Sequence, residues 1–175
     1  HQDNSGKFTL VHNGIIENYL SLQKLLSNNG IECKTETDTE VLVQLIGYIY
    51  NKESISFEEA VRSALIEVVG AYGIAVLCSD EPNKIVAAKK GSPLVLGVGK
   101  NEFIIASDTS PIINYTRNII YLDDGELLIC DKNNYVVKNI EENIEVSKTI
   151  NEIKYSLEQI EKSGYDHFML KEIHE

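Results

Sequence analysis

Gly73-Ile74-Ala75-Val76-Leu77-Cys78 is followed by Asp80-Glu81-Pro82-Asn83 and then by Ile85-Val86-Ala87-Ala88-Lys89. Two apolar runs of strand length flank a cluster of turn formers. Pro82 cannot donate to a ladder, and Asp80 and Asn83 favour turns. The spacing predicts a hairpin in an antiparallel sheet. The pattern recurs downstream. Leu94–Val98 follows Gly91-Ser92-Pro93, and Phe103–Ala106 follows Gly99-Lys100-Asn101. Ile119–Leu122, Glu126–Cys130 and Tyr135–Lys138 read as three more strands.

Upstream of this run the period changes to that of helices. Phe8-Thr9-Leu10-Val11 predicts a short strand ending in a turn at Asn13-Gly14. Ile15, Tyr19, Leu22 and Leu26 then share one helical face, stopped by Asn28-Asn29-Gly30. Ile31–Lys34 is expected to be a short strand. Thr37-Asp38-Thr39-Glu40 fits a capping box, with Asp38 at the positive end of a helix whose apolar face includes Val41, Leu45 and Ile49. A third helix is expected from Ser56 to about Val69. A short helix is expected over residues 108–115, capped by Asp108, and a helical tail over 151–175, broken near Ser163-Gly164. Helices first and antiparallel strands second make an α+β pattern, without the strand–helix alternation of a Rossmann-like fold. Gly97-Val98-Gly99 is too short and wrongly placed for a dinucleotide loop.

The 175 residues suit one domain with a sizeable core, and 43% hydrophobic with 25% charged residues is a globular balance. The net charge of −11 argues against a nucleic-acid surface, which wants clustered cations, and against an anionic membrane surface. No apolar stretch approaches the roughly 20 residues that cross a bilayer. The polar opening from His1 to Lys7 lacks the pattern of a signal peptide. An opening without Met places the expected start of translation upstream. Cys33, Cys78 and Cys130 are widely spaced, in no metal-binding pattern, and read as small core residues in a reducing compartment.

Asn13-Gly14 can present two hydrogen-bond donors, the Asn amide and the Gly N–H. Such a pair can hold the oxyanion of a tetrahedral acyl-transfer intermediate. Read alone, the dipeptide is equally a plain turn. Asp38 could bind an ammonium group, and could equally just cap its helix. His12 reads as a structural histidine rather than a base. His167 and His174, seven apart, do not fit the i, i+4 spacing of a helical zinc site.

As a set, the segments are more specific. Val11-His12-Asn13-Gly14-Ile15-Ile16-Glu17-Asn18 and Glu36-Thr37-Asp38-Thr39-Glu40-Val41 resemble the glutaminase domains of glutamine–fructose-6-phosphate aminotransferases (isomerizing), the glucosamine-6-phosphate synthases. So do Gly70-Ala71-Tyr72-Gly73, Lys90-Gly91-Ser92-Pro93-Leu94, Ile105-Ala106-Ser107-Asp108 and the ending His167–Glu175. The matches are collinear over residues 7–175. The ending separates this family from amidophosphoribosyltransferases and asparagine synthetases.

The resemblance implies an α-β-β-α sandwich of antiparallel sheets, the N-terminal-nucleophile hydrolase fold. It implies an N-terminal Cys that attacks the glutamine side-chain amide, its own α-amine serving as base. Asn13 and Gly14 fall on the oxyanion-hole positions, and Asp38 on the carboxylate that binds the substrate's α-amino group. L-glutamine is the implied substrate. The sugar isomerase domain of a homo-oligomeric, cytoplasmic parent protein is the implied partner, with no metal or organic cofactor in the glutaminase step.

Two departures stand out. Residue 1 is His rather than Cys, and the Arg of the family's R-W-A-T-H-G segment is absent. The chain is therefore expected to be a single partial domain over residues 1–175, missing first strands and nucleophile, inactive alone and marginally stable. Two other readings compete: a non-catalytic glutamine-binding or regulatory module, and another class II amidotransferase glutaminase domain.

Overall fold

The structure, a computed structural model, describes residues 1–154. The chain opens into β1 (Phe8–Ile16), followed by three helices, α1 (Tyr19–Asn28), α2 (Asp38–Glu53) and α3 (Phe57–Ile66). The strands then come in succession: β2 (Gly70–Cys78), β3 (Lys84–Lys90), β4 (Val95–Val98), β5 (Phe103–Ala106), β6 (Asn118–Tyr121), β7 (Glu126–Asp131), β8 (Tyr135–Asn139) and β9 (Asn151–Glu152). They form a five-stranded sheet of order β1-β2-β3-β7-β8 and a four-stranded sheet of order β5-β4-β6-β9, antiparallel throughout.

The period-2 alternation of the strands separates the layers. On β2, Tyr72, Ile74, Val76 and Cys78 turn to the helices, where they meet Phe8, Leu10, Leu42, Ile46, Phe57 and Val61. Each large side chain buried there contributes roughly 1.5–3 kcal/mol. On the other face, Ala75, Ala87, Leu128 and Cys130 pack against Leu94, Leu96, Ile120 and Leu122 of the second sheet. Beyond that sheet, Val95, Ile119, Ile104 and Ile153 close around Ile112. The described residues thus stack helices, sheet and sheet, with a further apolar cluster beneath.

Several local expectations are corrected. Asn13-Gly14 is no turn: β1 runs straight through it to Ile16, in continuous register with β2. Ile15 consequently lies in a strand, not on the face of α1. Residues 31–34 form no strand; Ile31 N–H donates to Leu26 O, Glu32 O accepts from the Asn4 amide and Lys34 N–H donates to Glu40. Residues 110–115 are successive turns rather than a helix, closed by Ile112 N–H and Tyr115 N–H on Thr109 O and Ile112 O. Gly91-Ser92-Pro93 does not close a hairpin but carries the chain from one sheet to the other. α3 ends at Ile66, and Ser56 makes no side-chain cap. The tail begins as strand β9, paired with β6, instead of helix. The rest of that helix, with His167 and His174, lies outside the described residues.

Candidate active site

β1 is an edge strand, and the direction of its N–H groups is fixed by alternation. Glu17 N–H donates to Val69 O, so the odd-numbered donors of β1 turn inward to β2. The even-numbered donors face the open edge. There Phe8 N–H donates to Asp3 Oδ1 at 2.8 Å, Leu10 N–H to His1 O at 2.8 Å and Ile16 N–H to Asp38 Oδ2 at 2.8 Å. Residues 1–3 thus cover the first half of the edge and Asp38 caps its end. The N–H groups of His12 and Gly14 lie between, pointing outward by the same alternation.

Gly14 is held there by close approach of two backbones. Its φ is +143°, and a β-carbon would stand 2.1 Å from Ala71 O. Gly70 shares the distortion, with φ +132° and Ile15 O only 2.2 Å from where its β-carbon would be. Glycine at both positions lets the strands draw together where a side chain would force them apart. Asn13 projects from the opposite face of the strand to His12 and Gly14, exposed beside Val11 and Ile15.

Asp38 is the first residue of α2. Thr37 precedes it in an extended conformation, and its Oγ1 accepts from Glu40 N–H, which starts the helix. The Asp38 side chain is 24% exposed and lies at the positive end of a 16-residue helix. Its Oδ2 is tied to Ile16 N–H, while Oδ1 faces Thr39 Oγ1 at 3.4 Å and His12 Nδ1 at 3.9 Å. His12, Gly14 and Ile16 share one face of β1, so a carboxylate touching the first and last is drawn up beside the second. Two residues of strand, about 6.7 Å, separate Ile16 N–H from Gly14 N–H, a span that a glutamine-sized molecule bridges.

The approach to Asp38 is braced by Glu40, which is 3% exposed. Its Oε1 accepts Lys34 N–H at 2.7 Å, and its Oε2 accepts Thr35 N–H at 2.6 Å and the Thr35 hydroxyl at 2.5 Å. Burial alone would raise the carboxyl's pKa; the bonds from Lys34 and Thr35 outweigh it and leave the group below the usual glutamate range. The capping-box pattern located Glu40 but mistook its target, which is residues 34 and 35 rather than Thr37. The sequence reading also missed the contacts of His12 with Thr39 and Asp38. The even spacing of His12, Gly14 and Ile16 was the available signal, hidden by assigning a turn at Asn13-Gly14.

The three thiols are unpaired. Cys78 pairs with Phe8, five residues along β2 from the partner of Asn13, about 17 Å at strand rise. Burial pushes Cys130 up to about 11 and raises Cys78 as well. Cys33 is partly buried; desolvation, then Glu40 and Glu32, raises it. None is a ready thiolate.

A family model described as "Glutamine amidotransferase domain" matches residues 1–114. The chain belongs to the glutamine amidotransferase domain family. Two relatives named glutamine–fructose-6-phosphate aminotransferase [isomerizing] align with the whole of this amidotransferase domain or nearly so. That of Chlorobaculum tepidum is 52% identical over 100% of the chain and 28% of its own length. That of Thermococcus kodakarensis is 47% identical over 99% of the chain and 29% of its own length. The domain therefore spans under a third of these relatives. Among solved structures, the glutamine phosphoribosylpyrophosphate amidotransferase from B. subtilis, in complex with ADP and GMP, superposes with a TM-score of 0.66 at 24% identity, over 82% of this chain and 31% of that one. A structure described as the allosteric regulatory enzyme of purine biosynthesis matches with a TM-score of 0.66 at 26% identity, over 81% of this chain and 30% of that one. The α+β fold of two packed antiparallel sheets is thus an amidotransferase fold. Among the described residues no helix is long and apolar enough to cross a membrane.

Proposed function

We propose that this domain supplies the amide- and amine-binding part of a glutaminase site. A thiolate from outside these 175 residues attacks the side-chain carbonyl carbon of L-glutamine. The developing oxyanion accepts hydrogen bonds from the Asn13 side-chain amide and from Gly14 N–H. Ammonia leaves, water hydrolyses the thioester, and glutamate is released. Asp38 pairs with the substrate's α-ammonium group. The family resemblance implies an N-terminal Cys that uses its own α-amine as base, and the raised pKa values of Cys33, Cys78 and Cys130 disfavour those three as the nucleophile. The ammonia is passed to a sugar isomerase domain of the same parent protein, which converts fructose 6-phosphate to glucosamine 6-phosphate. We place this homo-oligomeric parent in the cytoplasm, a setting that unpaired cysteines suit.

One observation carries the reading: the outward N–H of Gly14, on the open stretch of edge between the capped donors of Leu10 and Ile16, with the Asp38 carboxylate bound at the end of that stretch. The test uses the full-length parent protein with L-glutamine and fructose 6-phosphate, measuring glutamate and glucosamine 6-phosphate. Release of both supports the whole proposal. Glutamate without amino sugar retains the glutaminase and removes the sugar partner. No glutamate at all defeats the reading.

A further inference from the structure

Behind Asp38 lies a polar group that the glutaminase chemistry leaves without a task. The His12 side chain is 1% exposed, on the helix-facing side of β1. Its Nδ1 lies 3.1 Å from Thr39 Oγ1, and its Nε2 is buried without a partner. These two facts select the tautomer. A protonated Nε2 would bury an N–H with nothing to receive it, which is costlier than a bare lone pair in the same place. The proton therefore sits on Nδ1 and is donated to the Thr39 oxygen. The Thr39 hydroxyl then has its own proton free for Asp38 Oδ1, 3.4 Å away. The chain of donors runs from imidazole to hydroxyl to carboxylate. Ile16 N–H grips the other carboxylate oxygen at 2.8 Å.

We propose that His12 is a positioning residue: through Thr39 it holds the Asp38 carboxylate in the orientation that receives the substrate's ammonium group. This rests on the glutaminase reading above. A neutral imidazole suits the task. It orients the carboxylate through polarised hydrogen bonds without cancelling its charge, so the negative charge stays available to a cationic ligand. An imidazolium would pair with Asp38 itself and compete with the substrate. A ring kept only for packing would gain nothing from a nitrogen that faces Thr39 and would be better served by an apolar side chain.

The test is steady-state glutaminase kinetics on the full-length protein, with L-glutamine and with 4-carbamoylbutanoate, the analogue lacking the α-amino group. His12→Ala is expected to raise KM for glutamine about tenfold, the scale of one lost charge-assisted hydrogen bond. kcat should stay within about twofold, because the lost contact serves ground state and transition state alike. Turnover of the analogue should not change. In an Asp38→Asn background the same substitution should add nothing further. His12→Asn, whose amide N–H can stand near the place of Nδ1, should recover most of the loss. A fall in kcat at constant KM, an equal loss on the analogue, or a penalty that persists beside Asp38→Asn overturns the proposal. Should His12→Ala fail to fold, Thr39→Val breaks the same relay and is judged by the same criteria. If the unmodified protein does not hydrolyse glutamine, the glutaminase reading falls first and this proposal with it. If it does, the variants judge His12 alone.

Discussion

A β-carbon on Gly14 would stand 2.1 Å from the carbonyl oxygen of Ala71 on the neighbouring strand. No rearrangement of a flexible side chain can relieve an overlap with backbone, and the φ of +143° is itself costly for any other residue. Gly14→Ala is therefore expected to destabilise the domain by at least about 2 kcal/mol and to move the Gly14 N–H off its aim. Urea unfolding of the variant against the parent sequence checks this. An unchanged midpoint would mean that the two backbones do not approach so closely.

Asn13 gives the opposite profile. Its side chain is exposed, so Asn13→Ala should leave the unfolding midpoint nearly where it was. On the proposed oxyanion role, the same substitution in the full-length protein should lower kcat for glutamine hydrolysis by about 10²–10³-fold, with little effect on KM. Separation of stability from rate is the diagnostic result. A rise in KM alone would assign Asn13 to ground-state binding.

Glu40 links the loop ahead of α2 to pH. Its folded pKa is lowered by the bonds from Lys34 and Thr35, while the unfolded chain has the ordinary value of about 4.3. Its contribution is thus fully present above the unfolded value. It is lost as the pH falls from there through the lower folded value. Glu40→Gln should cost about 1–3 kcal/mol near neutrality, since Lys34 N–H and Thr35 N–H lose a charged acceptor. It should also flatten the acid limb of stability as the pH falls below the unfolded value of about 4.3. Urea midpoints of both proteins from neutrality to below that value check both effects.

The thiols offer a chemical test of layer assignment. Cys78 and Cys130 are buried, and Cys130 is pushed up to about 11. Iodoacetamide near pH 8 should label Cys33 first in the native protein, and Cys78 and Cys130 only on unfolding. Peptide mass spectrometry over a time course reads the order directly. Rapid native labelling of Cys130 would contradict its place between the two sheets.

The sheet residues were legible because their alternation is strong and both faces are buried. Ile74, Val76, Ala87 and Leu128 each sit where period 2 places them. Gly14 was legible as a special position but not as part of a strand. Asn-Gly is the commonest hairpin-turn signal, and nothing local distinguishes it from a strand whose partner approaches too closely for a side chain. That distinction lives in Ala71, fifty-seven residues on in register with Ile15 rather than nearby in sequence. The short helix expected at residues 108–115 failed for a related reason. Ile112 and Ile113 point into a core through turns, and tertiary burial replaced helical propensity. Asp38 was legible as the opening of α2, yet two of the groups around it, Ile16 N–H and His12, come from a strand that the sequence pattern ended too soon.

The alternation of donors along β1 has a consequence for how such a domain tolerates changes of length. Every second N–H faces the open rim, and the others are spent on the ladder to β2. Inserting or deleting one residue between Phe8 and Gly14 would send the glycine donor inward and swap Asn13 to the helix side. Length variation should therefore be confined to loops such as 79–83, 99–102 and 132–134, where an added residue shifts no register. Within β1 the count of residues is as constrained as their identity.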